Sequence, residues 1–287
     1  MTAKKNMTDV SPSSVKTLGV IGAGVMGQAL IKGLMAKDVF EAKNIWAAVK
    51  SEASATRVEA ELGVRTLTDY LPAVPGTDLL LLCVKPNGLK SVLEKLRATS
   101  LKPGTVIVSI VAGQTTEQME SVLGIDADTP EITVIRAMTN TPCLVGQGMT
   151  AICGGTHATK AQMAMAQKIF EAVGDCLQLD ETHFDAVTGL SGSGPAYVYL
   201  IMEALVDGGV RVGLSRAAAL RIVSQTLLGA ATMVQQSKRH PAALRDDVTT
   251  PAGCTIGALL VLEDGKIRST LARAVEEATS IAAGLGK

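Results

Sequence analysis

Three short stretches of this chain combine residue types and spacing that could do chemistry. Val20 to Gly27 reads VIGAGVMG, which sets Gly22, Gly24 and Gly27 in a GxGxxG spacing directly after an apolar, β-branched run and directly before a helical pattern. In that context the first glycine permits a tight turn, the second lets the backbone approach a pyrophosphate, and the third allows close helix packing. The helix start adds free N–H donors and positive potential, so the turn is suited to an anion. Gly22, Ala23, Gly24, Val25, Met26 and Gly27 are therefore candidate cofactor-binding residues, with a glycine-rich turn that holds no nucleotide as the alternative. An NAD site usually places Asp or Glu about 20 residues further on, to bind the ribose 2′-hydroxyl. Here that stretch is Ala47, Ala48, Val49, Lys50 and Ser51. No carboxylate repels a 2′-phosphate there, and Lys50 with Ser51 could bind one, so NADPH is favoured while NADH stays possible; a solvated surface lysine would look the same.

Further candidates follow other strand-like runs, at the edge where doubly wound sheets place ligands. Val84, Lys85 and Pro86 follow one, Ala112 and Gly113 another, and MTNTP (Met138 to Pro142, with Asn140) a third, though each could be merely a turn. The second and third stretches, LSGSGP (Leu190 to Pro195) and VTTPAGCTI (Val248 to Ile256), pack small, hydroxyl and proline residues between apolar segments at a cost in helix propensity. A ligand or a close backbone contact would account for them. The second of these would start a helix near Pro251 and offer the N–H groups of Gly253, Cys254 and Thr255 to a carboxylate, or be a simple helix-start turn. Gly189, Ser191 and Ser193 miss the GxSxG pattern, whose last position must be glycine, so no nucleophile elbow exists. Cys254 has no histidine within its motif to activate it and reads as a spectator.

The elements that must position these residues are legible in the periodicity. Thr17 to Ile21, Asn44 to Ala48, Asp78 to Val84, Thr105 to Ser109 and Ile132 to Ala137 read as strands separated by helical segments, which predicts parallel βαβ units in a doubly wound sheet. After about Leu179 the strand signal ends and the chain turns Ala, Leu and Val rich with helical spacing. The expected organisation is a disordered leader at 1–15, a Rossmann-like dinucleotide-binding domain at 16–179, and an all-α substrate and dimerisation domain at 180–287. Ser215 is placed as the N-cap of a helix running to Gln236, with Leu220, Val223, Leu227, Ala231 and Val234 at spacings of three and four. So little polar face remains that burial against another subunit is expected, a large intramolecular core being the alternative.

Composition excludes several function classes. With 27 basic and 27 acidic side chains the net charge is zero, and one Trp, three Tyr and three Phe give no stacking platform, so nucleic acid is not an expected partner. Apolar runs such as Leu79 to Val84 are far shorter than the roughly 20 residues of a bilayer span, so no membrane helix is expected. Five dispersed cysteines without a CxxC pair fit a reducing cytoplasm, and three histidines without ligand spacing predict no metal.

Taken together, VIGAGVMG, VKP (Val84 to Pro86), VIRAMTNTP (Val134 to Pro142), VTGLSGSGPAYVY (Val187 to Tyr199) and HPAALRDDVTTPAGCTI (His240 to Ile256) resemble the pyrroline-5-carboxylate reductases over essentially the whole chain after the leader. The resemblance implies NAD(P)H-dependent reduction of the C=N bond of 1-pyrroline-5-carboxylate to L-proline, by a homodimer that in this family often assembles further. It implies that the substrate carboxylate sits on Thr250 to Thr255, with the N–H groups of Gly253, Cys254 and Thr255 as donors. Thr255 is implied as the catalytic hydroxyl facing the ring nitrogen, and Glu181 matches a residue near the substrate. Departures are Ala252 where the family has Gly, Cys254 where Thr or Ala is common, and Tyr70 where Asn often contacts the cofactor. A β-hydroxyacid or other imine reductase of the same plan, and an NADP-binding regulatory module, are the competing readings. The lack of any lysine from Leu179 to Ser237 counts against the hydroxyacid enzymes.

Overall fold

The structure, a computed structural model, describes residues 15–126 and 132–286, so the expected leader lies outside the described residues up to Val15. The chain forms two compact units. One runs to Gly192 and takes up the chain again from Ala278, and the other is Ser193–Glu277.

In the first unit, β1 (Leu18–Ile21) leads into helix α1 (Val25–Ala36), and β2 (Ile45–Ala48) into α2 (Glu52–Leu62). Then come β3 (Arg65–Leu67), β4 (Leu79–Leu82), α3 (Pro86–Arg97), β5 (Val106–Ser109), α4 (Thr116–Leu123) and β6 (Thr133–Met138). Strands β7 (Gly148–Gly154) and β8 (Gly174–Gln178) flank α5 (Lys160–Glu171), and the short α6 (Phe184–Val187) runs into a π-turn at Thr188–Gly192. The sheet order is β3-β2-β1-β4-β5-β6-β7-β8. All pairs from β3 to β6 are parallel, while β7 runs antiparallel to β6 and parallel to β8. This is the doubly wound plan with a reversed two-strand extension.

The five strands read from the sequence are all present, and their continuous apolarity has the expected cause: β1, β2, β4 and β5 are buried at every residue. One face packs Leu18, Val20, Leu79 and Leu81 against Leu30, Ile31 and Leu34 of α1 and Ile169 and Phe170 of α5. The opposite face packs Ile21, Leu80, Leu82 and Ile107 against Leu89, Leu93 and Leu96 of α3 and Met119 of α4. Asp78 pins the lower end of the sheet by accepting the backbone N–H groups of Lys16 (2.9 Å) and Thr17 (3.0 Å) and pairing with Lys102. Burial works to raise the Asp78 pKa, but the bonds from Lys102 and the two N–H groups prevail and hold it below the usual carboxylate range.

The second unit holds α7 (Gly194–Arg211), α8 (Arg216–Ser237), α9 (Pro241–Asp247), α10 (Cys254–Asp264) and most of α11 (Ile267–Ala282). Ser215 does cap α8, its hydroxyl accepting the Ala218 N–H at 3.3 Å. Helices α7 and α8 meet where Gly209 faces Ala219, and a Cβ on Gly209 would lie 3.0 Å from that of Ala219. Among the described residues of this unit, Val206 and Ala219 alone are fully buried, whereas Leu200, Leu228, Leu260 and Val261 stand at least half exposed. So few buried side chains leave most of the apolar surface of this unit uncovered within the chain. By length and composition alone helix α8 would pass as a membrane span, although its apolar runs are short. The runs are short because Ser, Gln and Thr interrupt them, yet the mean over the helix is apolar.

Candidate functional site

Each glycine of the first turn has the geometry its role requires. Gly22 has φ of +100°, and a Cβ there would lie 2.8 Å from the carbonyl of Cys83, so the turn rests directly on the chain leaving β4 toward Val84. A Cβ on Gly27 would lie 2.7 Å from the Gly22 carbonyl oxygen, which fixes α1 against the turn. Gly24 differs, because an added Cβ there meets nothing within 4 Å. The space over Gly24 is what a pyrophosphate needs.

The donors facing that space can be assigned. The N–H groups of Gly22 and Ala23 are spent on the Ala48 carbonyl (3.0 and 2.9 Å), and that of Gly24 on the Gly22 carbonyl (2.8 Å). Gln28 N–H closes the first helical bond to Gly24, leaving Val25, Met26 and Gly27 as the helix-start donors without intrahelical acceptors. Ala23 therefore shapes the turn through its bonds: its carbonyl also accepts from Gln28 Nε2 at 2.8 Å. Past β2, Lys50 is exposed and has no ion pair among the described residues, while the Ser51 hydroxyl caps α2 by accepting from Ser54 N–H at 3.3 Å. A phosphate beside Lys50 would meet a free ammonium and the start of α2. These residues fit a dinucleotide carrying a 2′-phosphate.

The other predicted residues fall along the same carboxyl edge. Lys85 is the exposed N-cap of α3 with Pro86 at the first helical position, and Val84 is half-buried. Half-buried Ala112 precedes Gly113, over which Leu285 packs from the C-terminal segment. Asn140 departs from expectation. Its carboxamide is committed within the protein, to Ser191 and Met149, so it does not offer the cofactor a free donor. Tyr70 lies just beyond β3, its ring stacked at 6.4 Å and 11° on Trp46, and its hydroxyl is buried without a partner among the described residues. Burial first, then Asp69, raises its pKa.

Glu181 and the Thr250–Thr255 stretch fall in different units. Glu181 accepts from the N–H (2.8 Å) and hydroxyl (2.7 Å) of Thr116 at the start of α4 and from Arg136 (3.1 Å). It thus ties α4, β6 and the segment after β8 together, and the Arg136 guanidinium also lies 4.7 Å from the centre of the Phe184 ring. Sequence reasoning missed Thr116 and Arg136. An arginine inside the buried strand β6 was the available signal, since a buried charge needs a partner. A cavity of about 440 Å³ opens beside Arg136 and Glu181, with Thr115 and Leu285 on its walls. Gly22–Gly27 do not line it, so the pyrophosphate is not assigned to it.

In the second unit the expected helix starts three residues after Pro251, at Cys254, with Gly253 as N-cap. The shift has a local cause. Ala252 adopts φ of +56° and Gly253 N–H closes a turn on the Thr250 carbonyl at 3.0 Å. Gly253 is consequently not a free donor. Cys254, Thr255 and Ile256 hold the open N–H positions of α10, and Gly257 N–H makes the first helical bond, to Gly253. The Thr255 hydroxyl, half-buried, has no partner among the described residues.

Comparison with known proteins finds matches in both units. Residues 17–113 match a family described as NADP oxidoreductase, coenzyme F420-dependent, and residues 181–285 match pyrroline-5-carboxylate reductase dimerisation. A pyrroline-5-carboxylate reductase from Arabidopsis thaliana is 40% identical over 92% of this chain and 93% of its own length. The structure of such a reductase from Coxiella burnetii superposes with a TM-score of 0.88 at 32% identity, covering 95% of this chain and 99% of that one. A Plasmodium falciparum pyrroline carboxylate reductase with NADP bound gives 0.81 at 28% identity, covering 94% and 98%. The chain belongs to the pyrroline-5-carboxylate reductase family.

Proposed function

We propose that this chain reduces 1-pyrroline-5-carboxylate to L-proline with NADPH, the first compact unit holding the cofactor and the helical unit Ser193–Glu277 holding substrate and mediating assembly. The observation that carries the reading is the Gly22–Gly27 turn, with open space over Gly24 and unspent donors at Val25, Met26 and Gly27, on a chain 40% identical to named reductases. When bound, the reduced nicotinamide supplies a hydride to the imine carbon, and a proton goes to the ring nitrogen.

The protein's part is to bind and orient. Val25, Met26 and Gly27 hold the pyrophosphate, and Lys50 answers the 2′-phosphate. The exits of β4 and β5, at Val84–Pro86 and Ala112, flank the nicotinamide end of the same edge. Cys254, Thr255 and Ile256 offer N–H groups to the substrate carboxylate. The Thr255 hydroxyl hydrogen-bonds the ring nitrogen, and because its pKa is far too high for a strong acid it orients rather than donates outright. Proximity and orientation of bound reactants can remove about 7–11 kcal/mol of a barrier.

The exposed apolar surfaces of α7, α8 and α10 are covered in a homodimer, which assembles further with other dimers; the match of 181–285 to a dimerisation family supports this. Five unpaired cysteines support residence in a reducing cytoplasm. Thr255→Ala tests the assignment of that hydroxyl. Turnover is expected to fall about tenfold or more, as for loss of a hydrogen bond made at the reacting centre, with NADPH affinity unchanged. Unaltered turnover in this variant removes Thr255 from the mechanism.

A further inference from the structure

LSGSGP is the one motif whose purpose the cofactor and carboxylate sites leave unexplained. Its first part folds as the π-turn Thr188–Gly192, a rare geometry that concentrates at functional sites. Asn140, just past the end of β6, holds that turn. Asn140 Nδ2 donates both to the Ser191 carbonyl (3.1 Å) and to Ser191 Oγ (3.2 Å), and Oδ1 accepts the Met149 N–H (2.9 Å). Both ends of the carboxamide are thereby engaged within the protein. Met138, two residues earlier, packs on the same turn, where a Cβ on Gly192 would lie 2.6 Å from its methyl.

This arrangement determines what the serine can do. Because Ser191 Oγ accepts from Asn140, its own hydrogen is free to donate outward, and it has no acceptor among the described residues. The hydroxyl is half-buried and sits at the exit of β6, beside the exit of β5, on the half of the carboxyl edge that a doubly wound sheet gives to the nicotinamide end of a dinucleotide.

We infer that Ser191 donates a hydrogen bond to the carboxamide oxygen of the bound nicotinamide, and that Asn140 is the positioning residue that aims it, without touching the cofactor. The inference rests on the reductase reading, and the unmodified protein separates the two. Its turnover of the imine upholds that reading whatever the variants do.

The test is a double-mutant cycle with Asn140→Asp, Ser191→Ala and the pair, reading kcat, KM and NADPH affinity by fluorescence titration. Asn140→Asp keeps shape while removing both donors. Each single variant is expected to lower kcat about 3- to 10-fold, the range of one hydrogen bond, with NADPH Kd raised by no more than the same factor. The pair should be no worse than Ser191→Ala, because Asn140 acts through the serine. Ser191→Thr, which keeps a hydroxyl, should recover most of the loss. A multiplicative loss in the pair, a tenfold weaker NADPH Kd confined to Asn140→Asp, or a wild-type kcat in Ser191→Ala would each overturn the inference. Should Asn140→Asp fail to fold, the contrast between Ser191→Ala and Ser191→Thr decides alone.

Discussion

Replacing Gly24 by alanine separates cofactor binding from folding more cleanly than any other change in the glycine turn. Gly24 has φ −77° and ψ −159°, a conformation alanine adopts freely, and its Cβ would meet no atom within 4 Å. Alanine is a poorer N-cap than glycine by up to about 1 kcal/mol. It also restricts the unfolded chain, which returns about 0.4–1 kcal/mol. The net change in stability is therefore within about 0.5 kcal/mol. Binding is another matter, because the new methyl fills the space assigned to the pyrophosphate. Crowding of this kind costs about 1–3 kcal/mol, which at 1.4 kcal/mol per tenfold is about 5- to 150-fold in NADPH Kd. Thermal unfolding without ligand and fluorescence titration with NADPH measure the two quantities. Gly22→Ala serves as the contrast, since its positive φ and the Cys83 carbonyl 2.8 Å away predict loss of stability itself. An unchanged NADPH Kd in folded Gly24→Ala refutes the placement of the pyrophosphate.

Two further outcomes follow from buried groups. The unpartnered Tyr70 hydroxyl predicts that Tyr70→Phe is neutral or stabilising, by up to about 1 kcal/mol, because a buried group that makes no bond costs desolvation; destabilisation by more than about 1 kcal/mol in thermal melts would mean the hydroxyl is bonded after all. Burial foremost, with nearby carboxylates, pushes the Cys153 and Cys176 thiols from 9.0 up to about 12. The unfolded chain ionises these thiols first, so their contribution is whole below pH 9 and is lost as pH rises from 9 to about 12. A Cys153→Ala, Cys176→Ala variant should show a shallower alkaline fall in Tm, and an identical fall would contradict the assignment.

What could be read from the sequence follows from how local each determinant is. β1, β2, β4 and β5 were legible because both faces are buried, which leaves an apolar run in the sequence, and β6 (TVIRAM) was legible despite the buried Arg136 that interrupts it. β3 is three residues with one exposed end, β7 begins and ends in glycine, and β8 (GDCLQ) is a largely exposed edge strand, so none leaves such a run. The glycine turn was legible because its three roles lie within six residues. Asn140 was placed in the right loop but given to the cofactor, because its partner Ser191 is 51 positions away and no spacing rule connects them. The same holds for Glu181 and Thr116, 65 apart. The start of α10 was read near Pro251, with donors from Gly253 on, and falls at Cys254 because the left-handed Ala252 and the Thr250–Gly253 turn come first, a conformation alanine rarely adopts. These ties also explain why the first compact unit extends to Gly192: Glu181 and Ser191 fasten the chain beyond β8 to α4 and to the exit of β6.

The central claim is imine reduction at the expense of NADPH, and the most direct measurement is stoichiometry. Purified protein is mixed with NADPH and 1-pyrroline-5-carboxylate, NADPH loss is followed by absorbance, and proline is quantified in the same sample, with the 2-carboxylate isomer and NADH in parallel. The account predicts one proline formed per NADPH consumed, faster with NADPH than with NADH and faster with the 5-carboxylate than with its isomer. NADPH that binds yet is not consumed, or is consumed without proline appearing, contradicts it.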